Sequence, residues 1–459
     1  MVFSSATFLF LFLPLVIASY YAMPHFLRNF WLLLASVFFY AWGSMDFICV
    51  LGVAVVVDYL IGFFLNSQRW GKAFFIFGIL FNVGLLAYFK YANFFVDQFG
   101  TAFGLDPAGW IRVLLPLGIS FFTFHKISYL SDIYRGHNKH EKNFINYALY
   151  ILLFPQLIAG PIIRYSQINE QINAREHGFE KFFEGVWTFI LGLSMKVLIA
   201  DPVGKIHQDV FSGVHVGDVG SLALLLGLLA FSFQIYFDFA GYSRMAIGLG
   251  KMFGFEFPEN FNRPYLSRSI TEFWRRWHMT LSGFFKEYIY IPLGGNKEGE
   301  LKMMRNLFLV FLLTGVWHGA GWNFILWGVY FGILVILEKV WLGSWLARIP
   351  GWVAQFFTFF LVFFGWILFQ AGSLGEAVEV IRGLFAFNGG DLAFTSMNMR
   401  NMLALVVAGI LSFVAFDYKG LIAFGQRDGV RVALMVFLLV NCFLAVAGDS
   451  YHPFLYFNF

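Results

Sequence analysis

Residues 305–342 read RNLFLVFLLTGVWHGAGWNFILWGVYFGILVILEKVWL. Between Asn306 and Leu337 the sole acidic, basic or imidazole side chain in this apolar run is His318. An ionisable group at membrane depth is costly and usually faces a cavity or a protein partner rather than lipid. As a helix, the run from Asn306 to His318 rises roughly 20 Å against about 30 Å of hydrocarbon, which places His318 within the bilayer. Glycines at 315, 319 and 321 allow the chain to break there and approach a ligand. Irregular backbone at that depth survives only where protein or water surrounds it. His318 is therefore the first candidate catalytic residue. The plainer alternative is a histidine hydrogen-bonded inside a helix bundle.

The rest of the chain suits that setting. Of 459 residues, 59% are hydrophobic and 13% charged, and the mean hydropathy is +0.71. Such a chain is an all-α polytopic membrane protein, with the lipid bilayer as its surroundings. No polar block is long enough for a second domain, so residues 1–459 form one transmembrane domain. Cys49 and Cys442 are two isolated apolar-segment cysteines and make no disulfide framework or metal motif. The net charge of +4 is small and scattered; it points to loop placement and not to nucleic acid. The N-terminal apolar segment lacks a basic flank and reads as a retained first span.

Apolar segments of spanning length lie at about 2–23, 26–43, 46–65, 73–89 and 112–130. Arg69 and Lys72 make one connection basic, whereas 91–111 carries Asp97 and Asp106, so the positive-inside rule places the N-terminus outside. Segment 146–163, with Pro155, Gly160 and Pro161, is expected to dip into the membrane and return, because a full crossing would invert every later basic loop. Further spans follow at 184–200, 220–241, the His318 segment, 322–342, 351–370, 401–417 and 431–448, about twelve in all. Residues 201–219 read as an outer loop. Residues 244–305 hold ten Arg or Lys against six Glu and read as a cytoplasmic amphipathic region; residues 449–459 emerge outside as a periplasmic tail.

Within the cytoplasmic region, NRPYLSRSITEFWRRWHMTLSGFFKEYIYIPLGG offers Trp274 and Trp277 for an aromatic slot and Arg275 and Arg276 for an anionic head. These four are the donor-binding candidates, and His278 beside them is a second catalytic candidate. The alternative is a membrane-surface helix with snorkelling arginines. The polar residues around His318 supply no carboxylate, thiol or short His spacing, so no metal site is expected. Asp58, His125, Lys126, Lys196 and Asp238 are further embedded ionisable residues, best read as pairing with one another or lining a lumen. For Asp238, the sequence-local candidates are Tyr236, Tyr242 and Ser243.

Several stretches together resemble the membrane-bound O-acyltransferase (MBOAT) family, and within it the branch that O-acetylates bacterial alginate. They are PLGISFFTFHKISYLSDIYRG, LFPQLIAGPIIRY, YFDFAGYSRMAIG, NFNRPYLSRSITEFWRRWHMTLS, EYIYIPLGG and GVWHGAGWNFILWG. The resemblance implies a ring of helices around a thin centre, with cytoplasmic and outer funnels meeting at the histidine that matches His318. It also implies a tunnel role for the position of His278. Phe285-Lys286-Glu287 stands where a tryptophan and an Arg-Asp pair are more usual.

The expected function is therefore transfer of acetyl from a cytoplasmic thioester, acetyl-CoA as substrate with no bound cofactor, for O-acetylation of an exopolysaccharide such as alginate. The implied partner is a periplasmic SGNH-type acetyltransferase, with the polysaccharide as indirect acceptor and the bacterial inner membrane as location. D-alanyl transfer to teichoic acid, acetylation of cellulose or peptidoglycan, and a polysaccharide or lipid channel are the competing readings. Finally, the ending PFLYFNF is similar to the C-terminal tyrosine motif of the small peptide that accompanies the D-alanyl transferase. Its Tyr456 phenol, with a pKa of about 10, is a better leaving group than a sugar hydroxyl and could relay acyl groups. The simpler alternative for the tail is an interfacial aromatic anchor.

Overall fold

A chain this apolar must satisfy its backbone hydrogen bonds internally, and in lipid the helix does so within one segment. The computed structural model describes residues 1–104, 106–211, 219–389, 398–414 and 428–448, and every regular element among them is helical. Among the described residues, seven helical stretches are long and apolar enough to cross a membrane: His25–Gly62, Gly71–Phe103, Phe179–Phe211, Ser221–Met252, Trp322–Leu346, Gly351–Gln370 and Gly429–Gly448. Phe8–Ala22 and Met399–Phe413 are shorter apolar helices. The His25–Gly62 stretch is broken at Ser44, whose φ of −155° and ψ of 52° leave the helical region. That break falls between the two segments expected at 26–43 and 46–65.

Several boundaries differ from the sequence reading. The helix expected at 73–89 is Gly71–Phe99, because no glycine or proline interrupts residues 85–99. The one expected to begin at 112 begins at Ile119. Pro116 precedes it, and Gly118 at its start has a φ of 75°, a left-handed turn that glycine adopts without penalty. A Cβ on Gly118 would also lie 2.5 Å from the Leu157 carbonyl oxygen.

Residues 201–211, expected as outer loop, instead continue the helix to Phe211. A π-turn over Met195–Ala200 makes the join. The charges that suggested a loop are used internally: Lys196 reaches Asp201 and lies 3.1 Å from Asp238. Likewise the helix expected to end at 241 runs on to Met252, so the polar region begins later than residue 244.

Segment 146–163 forms no spanning helix. It contains Phe144–Leu152, a break at Leu153, and the four-residue turn Phe154–Leu157 with Pro155 near its start. Nine helical residues rise about 14 Å, half the hydrocarbon thickness. Every residue from 146 to 163 is buried, which is the condition for broken backbone at membrane depth.

The chain forms two compact units, Met1–Phe189 with Met245–Pro258, and Ile190–Arg244 with Glu259–Phe459. In the first, Asp58 accepts from Asn82 at 2.8 Å and faces Lys126 at 3.5 Å, all three fully buried. The second contains both candidate histidines. There Glu300–His318 turns back through three residues into Trp322–Leu337. A Cβ on Gly328 would meet the Phe311 carbonyl oxygen at 2.5 Å and the Gly315 Cα at 3.1 Å. The two backbones touch there, as small residues permit where helices pack in membranes.

Because that contact is backbone against backbone, no rotamer change can relieve a side chain placed in it. Gly328→Val is expected to destabilise by at least about 2 kcal/mol, read as a lower melting temperature in detergent. Gly52→Ala, where nothing lies within 4 Å of the added carbon, is expected to melt as wild type. Removing one member of a buried ion pair strands the other, so Lys196→Met is expected to cost about 3–5 kcal/mol, with part recovered in Lys196→Met/Asp238→Asn. The same melting assay checks both.

Candidate functional site

The segment carrying His278 is built from capped, short helices. Ile270–Arg276 would leave its first N–H groups unpaired, and each has a partner. Glu338, in the helical stretch Trp322–Leu346 that the return helix begins, accepts from Ile270 N at 2.6 Å and from Thr271 N at 3.1 Å. Ser269 Oγ accepts from Glu272 N at 3.1 Å. After Trp277 the chain passes through His278 with φ 43° and ψ 54°. For a residue other than glycine that left-handed conformation costs on the order of 1–3 kcal/mol and persists only where its surroundings enforce it.

Those surroundings are on the strand of chain just before the short helix. Met279 N donates to the Asn260 carbonyl at 2.9 Å, and Asn262 N donates to the Arg276 carbonyl at 2.9 Å. The His278 ring is fully buried, with Nδ1 3.0 Å from Asn260 Oδ1. The Phe239 ring stands edge-on to it at 4.7 Å and the Trp317 ring lies at 6.2 Å. His278 lies between the spanning helices, and burial pushes its imidazole from the ordinary value down to about 3. It is therefore neutral at physiological pH.

His318 ends its helix, and Gly319 continues in extended backbone. Its side chain is buried among Trp317 at 4.8 Å, Trp327 at 4.9 Å and Phe369 at 5.2 Å. Phe369 belongs to the helix Gly351–Gln370, whose end is tied to the return helix by Asn323 Nδ2 donating to the Ala371 carbonyl at 2.8 Å. The Trp317 ring is thus near both histidine rings. An aromatic wall of low polarity strengthens electrostatics at the imidazole, and the negative end of the helix dipole would favour a positive charge on it.

Trp274 and Trp277 are buried in the same aromatic assembly. Trp274 packs edge-on to Trp327 at 5.5 Å, and Trp277 lies 4.9 Å from Trp366. The two arginines part company: Arg276 is held by Glu272 at 2.8 Å and donates to the Asn262 carbonyl, while Arg275 is exposed. Tyr456 lies outside the described residues. Sequence reasoning missed Asn260 and Glu338. Asn260 carried a weak signal as a polar residue at the head of NFNRPY; Glu338 carried none, reading as the end of a span. The expected mutual pairing of embedded ionisable residues is found for Lys126 with Asp58 and Lys196 with Asp238; which residues pair was not legible in the sequence, and Ser243, a local candidate for Asp238, bonds to Asn260.

The site thus sets a buried histidine at a helix end and a second buried histidine in a helical membrane protein, with the Trp317 ring near both. The chain belongs to the membrane-bound O-acyltransferase (MBOAT) family, whose model matches residues 77–373, a stretch that includes both histidines. It is 40% identical to the probable alginate O-acetylase AlgI of Pseudomonas putida over the full length of both chains. It is 39% identical, again over both full lengths, to the protein of that name from Azotobacter vinelandii. It is 33% identical to the peptidoglycan O-acetyltransferase of Helicobacter pylori over 100% of this chain and 98% of that one. The protein is an acyltransferase, and this membership sets aside the channel reading of His318.

The contrast between the arginines is testable. Arg275→Gln is expected to raise the donor concentration needed for half-maximal rate and to flatten its salt dependence, since exposed attraction is screened within about 10 Å at 0.1 M salt. Arg276→Gln, which unties Glu272 and the segment before His278, is expected to lower stability and maximal rate with the salt dependence unchanged. Steady-state kinetics at two ionic strengths separate the two.

Proposed function

We propose that this protein takes acetyl groups from acetyl-CoA on the cytoplasmic side of a bacterial inner membrane and delivers them outward for O-acetylation of an exopolysaccharide, alginate foremost. The observation that carries the reading is His318, buried at a helix end in an aromatic cage, in a chain alignable end to end with AlgI of P. putida. About twelve crossings, arranged as a ring with two funnels meeting at His318, belong to the same reading. The exposed guanidinium of Arg275 would hold the anionic head, with Arg276 bracing the segment. Trp274 and Trp277 would wall the slot for the acyl arm.

His318 acts as general base. It takes the proton of an acceptor hydroxyl, whose oxygen adds to the thioester carbonyl; the tetrahedral intermediate then expels the thiolate, which recovers the proton from the imidazolium. A lone imidazole suffices because a thioester is already activated. The acceptor is proposed to be the phenol of Tyr456. The resulting aryl ester would pass its acetyl to the serine of a periplasmic SGNH-type partner, and the partner would transfer it to the polymer. The H. pylori relative favours one other acceptor, peptidoglycan, reached by the same steps.

The test uses the full chain in nanodiscs with radiolabelled acetyl-CoA or a D-alanyl carrier protein as donor, and alginate, cellulose, peptidoglycan or teichoic acid with the partner as acceptor. Label is expected to pass from acetyl-CoA to alginate. His318→Ala is expected to abolish transfer, and His278→Ala to impair it with the larger loss in donor binding. Tyr456→Phe, which removes only a hydroxyl, is expected to stop transfer as completely as His318→Ala. Wild-type transfer by His318→Ala would overturn the reading. Wild-type transfer by Tyr456→Phe would leave the tail as an anchor.

A further inference from the structure

The hydrogen bonds around Asn260 fix the protonation of His278. Asn260 Oδ1 receives the backbone N–H of Thr280 at 3.3 Å and the Thr280 hydroxyl at 2.9 Å, while its Nδ2 donates to Ser243 Oγ at 3.1 Å. A backbone N–H can only donate, so the atom facing Thr280 and His278 is the amide oxygen. His278 Nδ1, 3.0 Å from that oxygen, must therefore carry the ring proton. The lone pair then falls on Nε2, which is fully buried and has no hydrogen-bond partner among the described residues. A buried acceptor is normally satisfied, and this one belongs to a ring held in left-handed backbone by the same asparagine, through Met279 N and the Asn260 carbonyl.

We propose that Asn260 is a positioning residue for the transfer reaction: it holds His278 as the Nδ1–H tautomer so that Nε2 accepts a hydrogen bond from an N–H or O–H of the acyl donor. The proposal rests on the acyl-transfer reading above and adds to it a residue, a tautomer and a direction. His278 is an acceptor toward the donor and not a source of protons for the departing thiolate, which leaves proton traffic to His318. Asn260 does this through one oxygen that fixes both the ring and the turn after it. A side chain of similar shape that keeps that oxygen preserves the arrangement; an apolar one of similar size does not.

The experiment is nitrogen NMR of the full chain in nanodiscs with isotope-labelled histidine, His278 being assigned from the signal lost in His278→Gln. The wild-type spectrum is expected to show a protonated Nδ1 and an unprotonated Nε2 for His278, and addition of coenzyme A is expected to move the Nε2 signal. A proton on Nε2, or an Nε2 signal unmoved at saturating coenzyme A, would overturn the proposal. In turnover, Asn260→Leu is expected to lose about 100-fold in kcat, the scale of an ångström's misplacement. A folded Asn260→Leu protein with wild-type kcat would also overturn it. Should that variant fail to fold, the wild-type spectrum decides. That spectrum needs no turnover, so the expected tautomer in a protein that transfers no acetyl would count against the function alone.

Discussion

Two glycines, Gly315 and Gly328, let the backbones of a helix pair meet with nothing between them, and the placement of His318 follows from that contact. In lipid, apolar surface gives helices no reason to prefer one another over the solvent, so association depends on close packing. With the crossing fixed at Gly315, His318 falls three residues further on, where the helix ends and its carbonyl dipoles converge. Trp327, beside Gly328, is carried to the histidine ring. One crossing thus sets both the helix-end electrostatics and the aromatic surroundings of the imidazole. The proposed reaction asks for little else: a thioester donor is already activated, so a base at the right place would suffice.

The second histidine is secured by a different device. His318 sits at the end of a long helix and inherits its position from helix packing. His278 sits between two short helices, in backbone that ordinary residues avoid. Such strain is stable only when over-determined, and here it is met from two directions. Asn260 fixes the turn and the ring, while Glu338 supplies acceptors for the helix N-terminus just before it. Glu338 follows directly after Leu337 in the same helical stretch, Trp322–Leu346, that carries Trp327. The same element therefore walls one histidine and anchors the segment of the other, so the two positions are mechanically linked.

Embedded charge elsewhere follows the rule that a buried ion persists when paired. Asp58 with Lys126, and Lys196 with Asp201 and Asp238, lie within one unit each. In the latter cluster the π-turn at Met195–Ala200 accompanies a lysine reaching two carboxylates at once. Near the site the same economy separates Arg275 from Arg276. Adjacent in sequence and identical in chemistry, they differ because one faces Glu272 and the other solvent.

What the sequence determined by itself was whatever depends on local composition. A chain with 59% hydrophobic residues has few options but a helical membrane protein, and a lone histidine in an apolar run flanked by glycines identifies itself through the cost of burying it. Proline and glycine in 146–163 foretold a broken segment for the same local reason. Charge was a poorer guide to helix ends: Asp97 and Asp201 read as loop residues, yet both lie in helices, with Asp97 paired to Arg112 and Asp201 to Lys196. Only the tertiary structure could join Asn260 to His278, 18 residues apart, or Glu338 to Ile270, 68 residues apart. Such contacts leave no periodicity and no motif, since a hydrogen bond depends on where two atoms meet in space, and that is set by packing rather than by either residue's neighbours in the chain.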